Sequence, residues 1–264
     1  MQTEIVASSA RLRNAVAVVT GGASGIGHGI ATEFALEGAA VAILDLNRPM
    51  AEEVVSEIKG KGGQAVAVTA DVTDQGQVDK AIQSVAGQLG DTTVLVNCAG
   101  LNQFASVEEL PDGLWDKILA INLDGPWHVS KAVMPAMIRK RSGRIVNIVS
   151  AAGVRAIPKA VPYSSAKHGL VGLTRSLALD LAPYGVNVNC ICPSTVETPL
   201  VKQAVNSVFL REMLKTIPLG RFGTPRDIAR AAVFLCSSDA DWITGVVLPV
   251  DGGLTCGIRA HHFE

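Results

Sequence analysis

Short apolar, β-branched runs alternate along the whole chain with longer stretches whose apolar residues recur at three- and four-residue spacing. The runs AVAVVT (15–20), AVAIL (40–44), AVAVT (65–69), TVLVN (93–97), RIVNIV (144–149), VNVNCI (186–191) and GVVLPV (245–250) have strand length. Their near-continuous hydrophobicity marks strands covered on both faces. Segments 26–37, 50–59, 75–88, 112–140, 164–182 and 226–237 carry the helical period instead. This alternation predicts an α/β fold, a doubly wound parallel sheet with helices on both faces. Region 193–224 breaks the rhythm with Pro193, Pro199, Pro218, Gly220 and Gly223, and is predicted to be an excursion over the sheet edge that serves as a substrate lid. Nothing resembling a linker or a repeat divides the chain, so 1–264 is read as one domain.

Composition narrows the class. Of 264 residues 48% are hydrophobic and 18% charged, with 23 basic against 24 acidic side chains. That balance excludes a disordered chain and a nucleic-acid binder working through basic charge. No apolar run approaches the roughly 18 residues of a membrane span, and the first residues lack the apolar core of an export signal, so a cytoplasmic protein without a membrane partner is expected. Cys98, Cys190, Cys192, Cys236 and Cys256 form no CxxC pair and are read as reduced thiols.

The first strand runs into Thr20-Gly21-Gly22-Ala23-Ser24-Gly25-Ile26-Gly27, and a helical pattern starts at once. Glycines suit a turn that visits positive φ and lets backbone approach a pyrophosphate, while the first N–H groups of the helix face an anion. The spacing G-x-x-x-G-x-G differs from the usual dinucleotide fingerprint, and tight strand-to-helix turns also use glycine for structure alone. Position adds weight: the second strand ends in Asp45, where a carboxylate accepts both hydroxyls of an adenosine ribose, a pattern that favours NAD. The alternative is that Asp45 caps the turn into the helix beginning near Pro49. Gly21, Ser24, Gly25, Ile26, Gly27, Asp45 and Leu46 are thus candidate dinucleotide-binding residues. Asp71 and Val72 are candidates for the adenine, unless Asp71 and Asp74 simply begin a helix, and Asn97, Ala99 and Gly100 let the chain pass close to the cofactor.

One of only two tyrosines, Tyr163, precedes Lys167 by four residues within a helical stretch, so both side chains share a face. A phenol near pKa 10 is a poor base at neutral pH, and an adjacent ammonium stabilises its phenolate, so Lys167 is expected to lower the Tyr163 pKa. Tyr163 can then remove a hydroxyl proton as hydride leaves the neighbouring carbon. Ser150 ends the fifth strand, on the edge where open α/β sheets bind ligands, and its hydroxyl is placed to hold the substrate oxygen.

TGGASGIG, NCAG, Asn122 in AINLDG, Ser150, YSSAK and CPSTVETP follow one another, with 13 residues from Ser150 to Tyr163. In this combination the chain resembles the short-chain dehydrogenase/reductase family over residues 12–253. The resemblance implies a seven-stranded Rossmann sheet in the order 3-2-1-4-5-6-7. It also implies that Asn122 joins Ser150, Tyr163 and Lys167 by holding a water that connects the lysine to solvent. Lys167 would hydrogen-bond the nicotinamide ribose and Thr198 the carboxamide, with Pro193 and Val196 beside them. Three departures stand out: Cys98 where many members have asparagine, Ser194 where many have glycine, and a tail after Gly253 that is longer than usual.

The leading expectation is an NAD-dependent oxidoreductase interconverting a secondary alcohol, such as a polyol, sugar or hydroxy acid, and its ketone. The rival enzyme is an NADPH-dependent 3-oxoacyl-(acyl-carrier-protein) reductase, against which Asp45 argues because a carboxylate repels a ribose 2′-phosphate. A binding protein that merely keeps the fold is opposed by the complete Asn122, Ser150, Tyr163 and Lys167 set. Gln103, Ser150, Ala152, Tyr163 and Ser194 are expected to touch substrate, with Asn102, Arg155, Ile157, Lys159 and Val196 at the pocket edge and Val205, Phe209 and Met213 on the lid. His28, Trp115 and Trp127 are read as packing residues, the two tryptophans on one helix, and Arg139-Lys140-Arg141 as cations at a helix end. No metal site is expected at His261-His262. A homotetramer is expected from the resemblance, and also because Val129, Val133, Met137, Leu170, Leu173, Leu177 and Leu181 look like more apolar surface than one chain can cover.

Overall fold

The computed structural model describes residues 10–198 and 207–257. Seven strands, β1 (Val16–Thr20), β2 (Ala40–Asp45), β3 (Gln64–Thr69), β4 (Val94–Asn97), β5 (Gly143–Ile148), β6 (Val186–Pro193) and β7 (Val247–Val250), form one parallel sheet in the order 3-2-1-4-5-6-7. Each run expected from hydrophobic pattern is a strand, with ends displaced by at most two residues. Helices α1 (Gly25–Leu36), α2 (Arg48–Gly60) and α3 (Gln75–Leu89) follow the first three strands. Helices α6 (Val161–Leu181), α7 (Ser207–Lys215) and α8 (Pro225–Cys236) lie further along the chain.

Two cores explain why the strands read as unbroken apolar runs. In β1, Val19 faces a core with Ile30 and Phe34 of α1, Val54 and Ile58 of α2, and Ile228 and Val233 of α8. The next residue back, Val18, faces a second core with Val78 and Val85 of α3 and Leu177 and Leu181 of α6. Successive side chains point to opposite faces, and both faces are covered.

Two sequence expectations need correction. The predicted helix 112–140 is divided into α4 (Leu114–Leu119), a π-helical turn at Ala120–Asp124, and α5 (Gly125–Lys140). Pro126 has no N–H to give the carbonyl four residues back, that of Asn122, so the α ladder is interrupted there. Trp115 and Trp127 therefore sit on different helices. The second correction concerns Val129, Val133, Met137, Leu170, Leu177 and Leu181, which are already buried inside this single chain. Helices α5 and α6 turn these residues onto the sheet, so they supply no apolar surface for a neighbouring subunit.

The described ends of region 193–224 are tied together. Val196 and Gly223 form an isolated parallel bridge, in which Glu197 N donates to Gly223 O (2.8 Å) and Gly223 N to Thr195 O (3.0 Å). Leu219 N donates to Gly252 O (3.1 Å), which joins the returning leg to the segment after β7.

Candidate active site

All strands being parallel, the loops after β1, β2, β3, β4, β5 and β6 emerge on one sheet edge, and the strand order reverses between β1 and β4. That crevice is where open α/β sheets bind ligands. Thr20 seams it: its Oγ1 accepts from Cys98 N (2.9 Å) and Ala99 N (3.0 Å), fastening the β4 loop to the end of β1. Gly21 lies at φ +63, and a Cβ there would come within 2.8 Å of Ala99 Cα, so only glycine fits this turn. A Cβ on Gly27 would stand 2.2 Å from Gly21 O. Ser24 makes no side-chain cap to α1 and the first turn carries no acid, so the helix start offers its N–H groups to an anion.

Asp45, at the end of β2, accepts from Ala23 N (3.1 Å) through Oδ2 and from Asn47 N (2.9 Å) through Oδ1. Asp45 thus makes the turn into α2 that the alternative reading expected, through Asn47 N, while the cap of α2 itself belongs to Asn47, whose Oδ1 accepts from Met50 N (3.2 Å). Leu46 beside it is exposed. After β3, Asp71 Oδ1 accepts from both the N–H (2.9 Å) and hydroxyl (2.8 Å) of Thr73, while Asp74 caps α3 by accepting from Gln77 N (3.0 Å). Asp71 thus shapes the turn and Asp74 starts the helix. Val72 is buried and packs where a Cβ of Gly125 would be.

The Asn97 side chain turns away from the crevice. Its Nδ2 donates to Asn147 Oδ1 (2.8 Å) and Ser130 Oγ (3.2 Å), and Asn147 Nδ2 in turn donates to Thr174 Oγ1 (2.9 Å). Asn97 and Asn147 are register partners in β4 and β5, so this amide is committed to a buried bridge under the sheet. Only the backbone of Asn97 is left facing the crevice edge.

The four residues singled out for chemistry converge from three places: the turn after β5, the π-helical turn and α6. Ser150 follows β5, and its Oγ accepts from Ala152 N (3.1 Å), shaping the turn Ala151–Gly153. The Tyr163 hydroxyl, from the first turn of α6, neighbours Ser150 closely enough for the Ser150 hydroxyl to lower its pKa. Lys167 Nζ lies 5.6 Å from the centroid of the Tyr163 ring and donates to Ile148 O (2.9 Å). Asn122 occupies the π-helical turn and is fully buried, its Nδ2 donating to Leu101 O (2.8 Å) and Ile118 O (3.0 Å). Its Oδ1 is buried without a hydrogen-bond partner. A Cβ placed on Gly100 would be 3.0 Å from this Oδ1 and 3.8 Å from Lys167 Nζ, so the orphan acceptor and the ammonium flank the same glycine.

Burial dominates the electrostatics. It raises the Tyr163 phenol above its ordinary value, with the Ser150 hydrogen bond lowering it in part. The lowering expected from Lys167 is absent from the groups acting on the phenol. Lys167 is itself brought down to about 8 by desolvation, so much of its preference for charge is already lost. Cys98 is pushed up to about 12 by burial and is no thiolate. Behind Ser150, Cys192 Sγ accepts the Ser150 backbone N–H and hydrogen-bonds Cys190.

The remaining candidates fall into two groups. Thr198 closes over the glycine loop, its Cγ2 3.2 Å from where a Gly25 Cβ would be, and Pro193, Val196 and Ala152 are buried around the same edge. Ser194 Oγ donates to Asp251 O (3.0 Å), which fastens the lid base to the segment after β7. Gln103 and Asn102 lie exposed on the loop after β4. Val205, the Phe209 side chain and His261-His262 lie outside the described residues. His28 pairs with Glu57 (2.8 Å) between α1 and α2, in keeping with packing. Sequence reading missed Thr20, although a hydroxyl residue just before the glycine turn was a usable signal. It also missed the Ile148 carbonyl that holds Lys167, for which no side chain gives a sign.

Comparison with known proteins agrees with this geometry. Residues 21–255 match a family model described as enoyl-(acyl carrier protein) reductase. The chain is 41% identical to 2-(S)-hydroxypropyl-CoM dehydrogenase 3 of Xanthobacter autotrophicus over 252 residues, covering 94% of this chain and 99% of that one. It is 36% identical to 3-oxoacyl-(acyl-carrier-protein) reductase of Thermotoga maritima over 92% of this chain and 99% of that one. Among solved structures, a putative NAD(P) dependent gluconate 5-dehydrogenase from Beutenbergia cavernae with bound NADP at low occupancy superposes with a TM-score of 0.89. It shares 37% identity, over 95% of this chain and 100% of that one. With the sheet order, the glycine turn and the Ser150, Tyr163, Lys167 and Asn122 cluster on one edge, these likenesses place the chain in the short-chain dehydrogenase/reductase family, as an oxidoreductase acting on CH–OH groups.

Proposed function

We propose that this protein is an NAD-dependent oxidoreductase that interconverts a secondary alcohol, of the polyol, sugar or hydroxy-acid kind, and its ketone. The observation carrying the cofactor choice is Asp45, a carboxylate at the end of β2 held against the glycine loop through Ala23 N. A carboxylate there accepts ribose hydroxyls and repels a 2′-phosphate. The cation nearest along the chain, Arg48, is paired with Glu52 (2.7 Å). The crevice fits a dinucleotide on its own features: glycines at 21, 25 and 27 where side chains would collide, and a helix start without a side-chain cap. Asp71, Val72, Ala99, Gly100, Pro193, Val196 and Thr198 complete the proposed binding surface.

A bound nicotinamide dinucleotide supplies the hydride acceptor or donor. Residues of the chain handle the proton and the substrate. Ser150 holds the substrate oxygen, and the neighbouring Tyr163 hydroxyl takes the proton of the alcohol or returns it to the ketone. Lys167, steadied on Ile148 O, brings its ammonium to the Tyr163 ring. Asn122 Oδ1, buried and unpartnered beside Gly100, is an acceptor for a water leading from Lys167 toward solvent.

The 3-oxoacyl-(acyl-carrier-protein) reductase reading has the Thermotoga relative in its favour and Asp45 against it. Steady-state kinetics with NAD and NADP on secondary alcohols, beside NADPH reduction of a 3-oxoacyl thioester, separate the two. We expect NAD to be strongly preferred, and Asp45→Ser to shrink that preference by a few kcal/mol, about the worth of one charged acceptor and one relieved repulsion. Equal use of NADP by the wild type would remove the ribose assignment. We further propose a cytosolic homotetramer, for which Trp242, wholly exposed, and Leu179, 77% exposed, are the apolar surface still to be covered. A light-scattering mass of one 27.5 kDa chain would exclude it.

A further inference from the structure

The stretch joining Ser150 to Tyr163 carries Arg155 and Lys159 and no acidic residue, in a chain whose net charge is -1. Both side chains are exposed, and among the described residues neither forms an ion pair. The two are anchored to opposite walls of the site. Arg155 N donates to Ala151 O (3.0 Å), so Arg155 closes the turn that Ser150 begins. That turn is pressed onto α6, since a Cβ on Gly153 would stand 2.9 Å from Lys167 O. Lys159 O accepts from Ala105 N (2.9 Å), and Ala105 packs in one apolar cluster with Tyr163, Leu114 and Ile118. Lys159 itself adopts φ +59, a left-handed conformation that a long side chain takes only when its surroundings impose it. The facing loop carries Glu108, Glu109 and Asp112, all exposed, and Glu109 accepts from Ser106 Oγ (2.9 Å).

We infer that Arg155 and Lys159 form an anion-recognition rim, and that the substrate is a secondary alcohol or ketone carrying a carboxylate, phosphate or sulfonate a few bonds from its carbinol carbon. The inference rests on the oxidoreductase reading above and sharpens its substrate class. Two exposed cations with no ion pair among the described residues, on the short stretch that joins Ser150 to Tyr163, steer an anionic tail to the rim and leave the uncharged carbinol at the hydroxyls.

Matched substrate pairs test this: 3-hydroxybutyrate against 2-butanol, glycerol 3-phosphate against glycerol, and 2-hydroxypropanesulfonate against 2-butanol, each with NAD and with NADP. At least one anionic member is expected to exceed its neutral partner in kcat/KM by about tenfold or more, mainly through KM, and the arm that does so identifies the anion. Raising salt should reduce that ratio, and the double variant Arg155→Gln, Lys159→Gln should bring it close to one. Neutral members turned over as well as their anionic partners, or a ratio untouched by the double variant, would overturn the rim while leaving the oxidoreductase reading in place. No turnover of any pair with either dinucleotide would overturn the reading and the rim together.

Discussion

The glycine-loop side of the cleft is cross-tied by the backbone of neighbouring turns: Thr20 holds Cys98 and Ala99, Asp45 holds Ala23 and Asn47, and Asp71 holds Thr73. The lid side, made from the loops after β4 and β5 and the legs at 194–198 and 217–223, leaves Phe104 58%, Val107 77% and Leu219 71% exposed. On the proposed function, one side is a mould for a ligand part that does not vary, and the other is an open surface on which substrate preference can change without loss of fold. Between them stand Tyr163 and Lys167 of α6, with Ser150 where the loop after β5 begins.

The comparison can be broken most sharply at its centre. Tyr163→Phe is expected to lower turnover by about a thousandfold while leaving dinucleotide affinity within about twofold, because the hydroxyl serves proton transfer alone. A Phe variant with normal turnover, followed by nicotinamide absorbance, would end the proposed role of Tyr163.

The next effect concerns pH. Lys167 is lowered from 10.5 to about 8 in the folded chain, so between these values the unfolded chain binds more protons, and this group makes the fold more stable as pH rises. Cys98, raised to about 12, acts in the opposite sense from pH 9 upward, because it keeps its proton only when folded. Comparing wild type with Lys167→Met isolates the lysine: the wild type should gain on the variant by roughly 2 kcal/mol in urea denaturation between pH 8 and 10. A difference that stays flat over this range would mean that Lys167 is not desolvated in solution.

Smaller effects should divide the two sides of the cleft. Thr20→Val keeps the shape but takes the acceptor from two N–H groups, and should cost about 1–3 kcal/mol in thermal or urea unfolding. Val107→Ser on the lid side should stay within about 0.5 kcal/mol, as surface substitutions do. Equal losses at both positions would erase the distinction between mould and open surface.

Much of this was legible in the chain itself. Strands were readable because both faces are covered, so each is an unbroken apolar run; the Tyr163 and Lys167 pair was readable because helical spacing stacks residues four apart. The π-helical turn at 120–124 was hidden, since the apolar period runs through it at nearly the helical spacing and the break comes from a missing N–H at Pro126. The apolar residues of α5 and α6 misled because counting them does not reveal which way the helix turns them, and the sheet takes almost all. The Asn97 side chain was illegible for a related reason: its place at the crevice edge was plain, but its partner Asn147 lies on a different strand, 50 residues away.

The π-helical turn also bears on which changes of length this chain can accept. A π turn holds one residue more than an α turn, so deleting a residue within 120–124 would remove that extra residue and rotate everything on one side by about 100° relative to the other. Leu114 and Ile118, which pack in one cluster with Tyr163, would leave their places, and Asn122 would swing away from Gly100. The exposed loop positions ahead of α4, 107–109, face no such restriction. Among descendants of this chain, insertions and deletions should gather in that loop and spare the turn beside it, which sets the helix phase for Asn122.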